Sequence, residues 1–206
     1  MKRILCFGDS NTYGHDPKDA SRLKNRWTRY LSDMLGEDYE IIEEGLCGRT
    51  TVFPVNGTPD GWEGSTLLRP VIATHKPYDL LIIMLGTNDL LLSTGADTED
   101  SARGIEKLIN IAQGEYSAKI LIISPILFDE AIQYNETFFT LYGGTRVCEM
   151  SKELAPKYER IARKHGCFFM NAADYARASE LDGVHMDSAN HRKLAEAIYK
   201  KLAGIL

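Results

Sequence analysis

The sequence predicts an α/β fold built on a doubly wound, parallel sheet of five strands. Short runs rich in Val, Ile and Leu alternate along the chain with longer amphipathic segments, which is the pattern of repeated βαβ units. The segments 79–85 and 119–124 contain continuously apolar runs, as is typical of strands that helices cover on both faces. These observations favour a flavodoxin-like, three-layer sandwich.

Five segments have the composition of buried strands. They are residues 3–8, 39–44, 79–85, 119–124 and 167–171. Amphipathic helices are predicted at residues 22–35, 64–75, 99–114, 146–165 and 188–203. Ser188 is the predicted N-cap of the last helix, and Gly36 and Gly166 lie just after the ends of two others.

Length and composition are those of one globular domain over residues 1–206. The chain has 44% hydrophobic and 26% charged residues, which is enough for one sizeable core. Its net charge is −5 and its basic residues are scattered, so we expect no nucleic-acid partner. The apolar run near the start is too short for a membrane span or a signal-peptide core, so we expect no membrane partner and a cytoplasmic location.

The cysteines do not form a metal-binding pattern. Cys6, Cys47, Cys148 and Cys167 are far apart, with no C-x-x-C and no Cys/His cluster, so neither a metal nor a cofactor is predicted. Cys6 and Cys167 lie in predicted strands and are expected to be buried thiols.

Small polar residues follow each of the first three predicted strands. They occupy residues 8–11, 45–51 and 86–89. Because ligands of doubly wound sheets bind at the carboxyl ends of the strands, we expect these three loops to meet at one edge. The sequence therefore predicts a functional site there.

Ser10 is the candidate nucleophile in the first of these loops. A serine hydroxyl needs a base to remove its proton, and His185 lies in a loop before the last helix that can reach the same edge. Asp182, three residues earlier, can orient its imidazole. The other histidines are less suitable. His15 is too close to Ser10 along the chain, His75 and His165 end helices, and His191 is expected to be exposed on the last helix.

Acyl transfer through a serine also needs donors aimed at the developing oxyanion. The Ser10 N–H, the Gly48 N–H and the Asn88 side-chain amide are the candidates. The alternatives are that Gly48 only permits a turn with positive φ, and that Asn88 only caps the segment after the third strand.

Taken together, Gly8-Asp9-Ser10, the glycines at 45 and 48, Gly86-x-Asn88-Asp89 and Asp182-x-x-His185 resemble the motifs of the SGNH (GDSL) hydrolase family. Within it, "RILCFGDS", "EEGLCGRTT", "IIMLGTND" and "DGVHMD" are most similar to the bacterial arylesterase and acyltransferase branch.

The resemblance implies a role for each site residue. Ser10 is the nucleophile, His185 the base and Asp182 its orienting partner, while Ser10, Gly48 and Asn88 form the oxyanion hole. Asp9 is expected to brace the turn at Ser10. Asn11 and Tyr13 follow the nucleophile at positions where that branch tends to be more apolar. We assign them supporting or substrate-binding roles, in a more polar pocket. Because the branch is similar to oligomeric esterases, a homo-oligomer is expected.

The predicted function is hydrolysis of short-chain, acetyl-type esters, with acyltransfer or perhydrolysis as side activities. A carbohydrate O-deacetylase is an alternative within the family. A domain that binds a nucleotide or phosphate without catalysis is an alternative of another class, but the glycine motifs G-x-G-x-x-G and G-x-x-x-x-G-K are absent from the sequence. An inactive interaction protein is a third option. Two long loops, 52–63 and 126–145, are expected to shape the site or a subunit contact.

Overall fold

The computed structural model of the protein describes residues 1–55 and 59–206 and contains a parallel sheet of five strands. The strands are β1 (Lys2–Gly8), β2 (Tyr39–Gly45), β3 (Leu80–Met84), β4 (Lys119–Ser124) and β5 (Phe168–Asn171). Their order in the sheet is β2-β1-β3-β4-β5, and every neighbouring pair is parallel. The predicted α/β, doubly wound, flavodoxin-like fold is therefore confirmed.

Helices cover both faces of this sheet. They are α1 (Ser10–Tyr13), α2 (Trp27–Leu35), α3 (Gly64–His75), α4 (Thr98–Glu115), α5 (Glu136–Tyr142), α6 (Arg146–Lys152), α7 (Leu154–Lys164) and α8 (Ser188–Leu202). None of the helices within residues 1–55 and 59–206 is both long and apolar enough to cross a membrane.

Alternation along the strands divides the apolar side chains between two cores. On β1, Leu5 and Phe7 face one core together with residues of α3, α4 and α7. Ile4 and Cys6 face the other core, which α2 and α8 cover. Because a strand side chain changes face at every residue, the apolar runs within β3 and β4 supply both cores.

The strand register brings three loops to one edge of the sheet. Gly8, the last residue of β1, lies opposite Gly45 of β2 and Met84 of β3. The chain leaves all three strands at this level, and β1 is the strand at which the strand order reverses. The segment that carries Ser10 therefore begins at the position where doubly wound folds bind their ligands.

Two predicted helices have different bounds. The segment 146–165 forms two helices, α6 and α7, separated at Glu153. Pro156 has no N–H to donate to the preceding turn, which explains why one continuous helix does not form. Residues 22–26 do not join α2, because the chain at Arg22 pairs with His15 and the Leu23 N–H donates to the Gly14 carbonyl.

The N-cap of α8 is Asp187 and not Ser188. The Asp187 side chain accepts a hydrogen bond from the Asn190 N–H at 2.8 Å, whereas Ser188 is the first helical residue and contacts the Tyr30 hydroxyl. Aspartate and serine are both good N-caps, so the sequence alone does not distinguish Asp187 from Ser188.

The long loop 126–145 is partly helical, since it contains a short 3₁₀ turn at Glu130–Tyr134 and the helix α5. Part of the other long loop, including Gly57, lies outside the described residues. Among the cysteines, Cys6 is buried as expected, but Cys167 is partly exposed because it precedes the edge strand β5.

Candidate active site

Ser10 lies at the point where β1 gives way to α1. Asp9 is the N-cap of this helix, and its carboxylate accepts a hydrogen bond from the Asn11 N–H at 2.9 Å. The cap fixes the sharp turn after Gly8, as expected from the sequence. Ser10 is the first helical residue, and its hydroxyl points to the loop before α8.

The Ser10 hydroxyl is the end of a chain of two hydrogen bonds. His185 Nε2 lies 2.9 Å from Ser10 Oγ, and His185 Nδ1 lies 2.7 Å from Asp182 Oδ2. With the imidazole proton on Nδ1, Nδ1–H donates to the carboxylate and Nε2 accepts from the hydroxyl. All three residues are at most 5% exposed. A base in this position can deprotonate a serine.

Asp182 is held in its charged form by the loop that contains it. Its Oδ1 accepts hydrogen bonds from the N–H groups of Val184 and His185, both at 2.9 Å. Burial opposes the negative charge, but the hydrogen bonds from His185 and the backbone outweigh burial and lower the pKa of Asp182. At neutral pH the carboxylate can therefore orient and stabilise the imidazole.

The turn of this loop requires a glycine. Gly183 has φ +71°, and a Cβ there would lie 2.4 Å from the Ile132 backbone nitrogen. The Gly183 carbonyl also accepts from the Asp129 N–H at 2.9 Å. The loop of the base is thus packed against the backbone of residues 129–132.

Asn11 supports the base from the other side. Its side-chain oxygen accepts from the Met186 N–H at 3.0 Å, and its amide donates to the Val184 carbonyl at 3.3 Å. The amide therefore bonds to the backbone on both sides of His185. Asn11 is 3% exposed, and both of these hydrogen bonds go to the loop that contains His185.

Asn88 and the Gly48 loop are joined to each other. The Asn88 amide donates to the Arg49 carbonyl at 3.1 Å, and the Tyr142 hydroxyl donates to its oxygen, also at 3.1 Å. These two bonds fix the orientation of the amide and leave its second N–H for a ligand. Gly48 has φ +81°, so it does form the positive-φ turn that the sequence allows.

A model of the GDSL-like lipase/acylhydrolase family matches residues 6–193. The chain belongs to this family. The protein is therefore a carboxylic ester hydrolase of the GDSL type, and the family predicted from its motifs is confirmed. No curated protein matches the chain.

Solved structures of esterases are similar over the whole length of the chain. A carbohydrate acetylesterase family member from Sinorhizobium meliloti is 34% identical with a TM-score of 0.92, over 100% of this chain and 99% of that one. The M. smegmatis aryl esterase is 34% identical with a TM-score of 0.90, over 100% of both chains. A putative arylesterase from Agrobacterium tumefaciens is 33% identical with a TM-score of 0.89, again over 100% of both chains.

Asp9 is buried beside the GDSL serine and has an altered acidity. Burial raises its pKa to about 6, although the Asn11 N–H, His185, Thr87 and Arg49 all favour the charged form. Its carboxylate accepts from the Asn11 N–H, so it acts on the turn that carries Ser10.

Two residues within the motifs, Asp89 and Arg49, are given no role by sequence reasoning. The Asp89 carboxylate accepts hydrogen bonds from the Thr51 N–H at 2.7 Å, the Thr51 hydroxyl at 2.7 Å and the Ser101 hydroxyl at 2.6 Å. The Arg49 guanidinium is 3% exposed, donates to the Gly8 carbonyl at 2.9 Å and also contacts the Glu44 carbonyl. Asp89 and Arg49 hold together the three loops that carry Ser10, Gly48 and Asn88.

Among the five histidines, His191 differs from expectation. His191 is fully buried and accepts a hydrogen bond from the Trp27 N–H at 3.2 Å, because its face of α8 packs on α2. The backbone N–H of His15 donates to the Ser10 carbonyl at 3.0 Å, and the His15 ring packs against His185 with the two centroids 4.1 Å apart. His75 and His165 end helices as predicted and bond to Glu44 and Glu106.

Aromatic side chains of the 126–145 segment lie beside His185 and Asn88. The Phe138 ring lies edge-on to His185 with centroids 5.3 Å apart, and Tyr142 bonds to Asn88. Tyr13 instead packs against the Arg22 guanidinium, 4.8 Å from its ring centroid. The segment 126–145 thus contributes to the site, as expected.

One group of potential metal-binding side chains occurs within residues 1–55 and 59–206. His15, Asp182 and His185 have ligand atoms within 4.8 Å of one another. Both nitrogens of His185 are engaged, one by Ser10 and the other by Asp182. We therefore interpret the group as a hydrogen-bonded serine–histidine–aspartate arrangement with a second imidazole beside it.

Proposed function

We propose that this protein is a serine esterase that hydrolyses short-chain, acetyl-type carboxylic esters through an acyl-enzyme on Ser10. The observation that carries the proposal is the unbroken chain of hydrogen bonds from Asp182 through His185 to Ser10. The family of the chain supplies the reaction class, and the site supplies the groups that the reaction needs.

In the first half of the reaction, Ser10 Oγ attacks the ester carbonyl carbon while its proton passes to His185 Nε2. The N–H groups of Ser10 and Gly48 and the Asn88 amide stabilise the negative oxygen of the tetrahedral intermediate. The bond to the alcohol oxygen then breaks, and His185 gives its proton to the leaving alcohol. Ser10 now carries the acyl group.

In the second half, water attacks the acyl carbon and loses a proton to His185. The bond between the acyl carbon and Ser10 Oγ breaks, the serine oxygen takes the proton back, and the carboxylic acid leaves. Asp182 remains charged throughout and stabilises the imidazolium formed in both halves.

A small acyl group is favoured by the crowding around the base. The rings of His15 and Phe138 pack against His185, and the Tyr142 hydroxyl bonds to the Asn88 side-chain oxygen. We infer that these rings leave room for only a small acyl group beside Ser10. The similarity to a carbohydrate acetylesterase supports the same choice and favours an acetylated sugar as a second candidate substrate.

The proposal includes the homo-oligomer and the cytoplasmic location expected from the sequence. Leu92 is 64% exposed, and Phe139 and Leu141 of α5 are 41% and 45% exposed. Apolar side chains exposed in this way support a contact with a second copy of the chain.

The test is hydrolysis of p-nitrophenyl acetate, butyrate and octanoate by the purified protein and its variants. We expect turnover to be fastest with acetate, and to fall about 10⁴-fold or more in Ser10→Ala and His185→Ala. Ser117→Ala, which removes an exposed serine away from the site, is the matched control and should keep full activity.

Two results would overturn the proposal. Folded Ser10→Ala with wild-type turnover would exclude Ser10 as the nucleophile, and rates that rise steadily from acetate to octanoate would exclude the short-acyl preference. Release of acetate from acetylated sugars, measured in the same preparations, separates the two candidate substrates.

A further inference from the structure

The side chain of His15 packs against the catalytic imidazole but takes no part in the mechanism above. The ring centroids of His15 and His185 lie 4.1 Å apart, and the ring planes are inclined by 34°. Two five-membered rings at this separation and angle overlap in a tilted stack. Contact of this kind restricts the rotation of the imidazole about its side-chain bonds.

The backbone holds His15 in this place independently of the stack. α1 ends at Gly14, and the N–H groups of Gly14 and His15 both donate to the Ser10 carbonyl, at 2.9 and 3.0 Å. The chain then returns, so that His15 pairs with Arg22. The residue that carries the stacked ring is therefore fixed to the same short helix as the nucleophile.

The His15 imidazole is suited to a neighbour that becomes positively charged during turnover. Burial lowers the pKa of His15, and the nearby His185 lowers it further, although Asp182, Asp16 and Asp19 act in the opposite direction. A neutral imidazole offers an aromatic face to the imidazolium that forms when Ser10 loses its proton. A positively charged His15 ring, with its centroid 4.1 Å from that of His185, would repel the imidazolium.

We propose that His15 is a positioning residue for the catalytic base: its ring stacks on His185 and keeps the imidazole between Asp182 and Ser10. The proposal rests on the esterase function proposed above. It predicts an effect on kcat, because His185 takes a proton in both acylation and deacylation, and little effect on substrate affinity.

The experiment compares three substitutions at position 15 with p-nitrophenyl acetate as the substrate. His15→Phe keeps a planar ring and should retain kcat within about twofold. His15→Ala and His15→Leu remove the ring, the second while filling its space, and should lower kcat about three- to tenfold with little change in KM. His165→Ala, a histidine remote from the site, controls for the loss of an imidazole.

A spectroscopic measurement distinguishes positioning from packing. The proton in the hydrogen bond between His185 Nδ1 and Asp182 should give a resolved low-field resonance in the wild type and in His15→Phe. The same resonance should broaden in His15→Leu, in which the imidazole is free to rotate, while the melting temperatures of the two variants agree.

Other outcomes overturn the inference. Unchanged kcat in His15→Leu and His15→Ala, or a rise in KM alone, would show that His15 is only a wall of the site. Loss of activity in His15→Phe equal to that in His15→Leu would show that the ring is not what matters. An inactive wild-type protein would refute the proposed function itself, which is a separate result.

Discussion

Asn11 follows the nucleophile in the sequence, but its side chain bonds to the loop that holds the base. Its amide bonds to the backbone at Val184 and Met186, which are the two neighbours of His185. A single buried side chain thus sets the distance between α1 and the base. The relative position of Ser10 and His185 depends on it.

Replacing Asn11 by alanine removes both hydrogen bonds and leaves the Met186 N–H without its partner. We expect kcat for p-nitrophenyl acetate to fall about tenfold and the free energy of unfolding to fall by about 1–2 kcal/mol. Steady-state kinetics and urea denaturation measure the two effects. Asn110→Ala, an exposed asparagine on α4, is the control and should change neither. Full activity in folded Asn11→Ala would contradict the supporting role.

A chelator is expected to leave the activity unchanged. Both nitrogens of His185 are occupied by Ser10 and Asp182, so catalysis by this arrangement requires no metal ion. Hydrolysis of p-nitrophenyl acetate after dialysis against EDTA measures this directly. Activity that disappears on dialysis and returns with a divalent cation would contradict the mechanism.

At the scale of elements, α2 and α8 meet through a buried histidine. His191 on α8 accepts a hydrogen bond from the Trp27 N–H, at the first residue of α2. Arg26, the N-cap of α2, makes no capping hydrogen bond with its side chain. The first N–H groups of a helix have no partner within the helix. His191 of α8 therefore supplies an acceptor for one of those at the start of α2.

This contact predicts how stability depends on pH. Burial, which outweighs the attraction of Asp187, lowers the pKa of His191 from 6.5 to about 3. Below pH 6.5 the unfolded chain binds a proton at this residue and the folded chain does not, so the stabilisation present above pH 6.5 is lost as the pH falls. Protonation of His191 favours the unfolded state.

His191→Asn keeps an acceptor near the Trp27 N–H and removes the titration. The free energy of unfolding, measured in urea at pH 7, 6 and 5, should fall by about 2 kcal/mol more in the wild type than in the variant between pH 7 and pH 5. Comparing the two proteins cancels the titration of other groups. An equal pH dependence of the two proteins would refute this assignment.

The elements that sequence reasoning placed well are those with the strongest local pattern. The apolar runs of β3 and β4 and the helix 64–75 have clear compositional or periodic signals, and they appear where expected. The division of 146–165 and the buried face of His191 depend on Pro156 and on packing between distant helices. The hydrophobic periodicity of a segment does not report the effect of a proline or the packing of distant helices against it.

For the molecule as a whole, the order of the strands explains why a short set of motifs was informative. Loops that are far apart in the sequence meet because β1, β2 and β3 end at one level of the sheet. The motif residues could be named from their place after each strand. The stack of His15 on His185 and the hydrogen bonds of the Asn11 side chain form only when residues 10–15 meet residues 182–186. No local sequence pattern predicts them.

The central claim is that His185 activates Ser10 as the nucleophile, and covalent labelling tests it most directly. The wild-type protein is treated with a fluorophosphonate, and the modified residue is located by mass spectrometry of its peptides. We predict one phosphonyl group per chain, on Ser10, with no label in Ser10→Ala and strongly slowed labelling in His185→Ala. An unlabelled protein, or a label on a different residue, would contradict the claim.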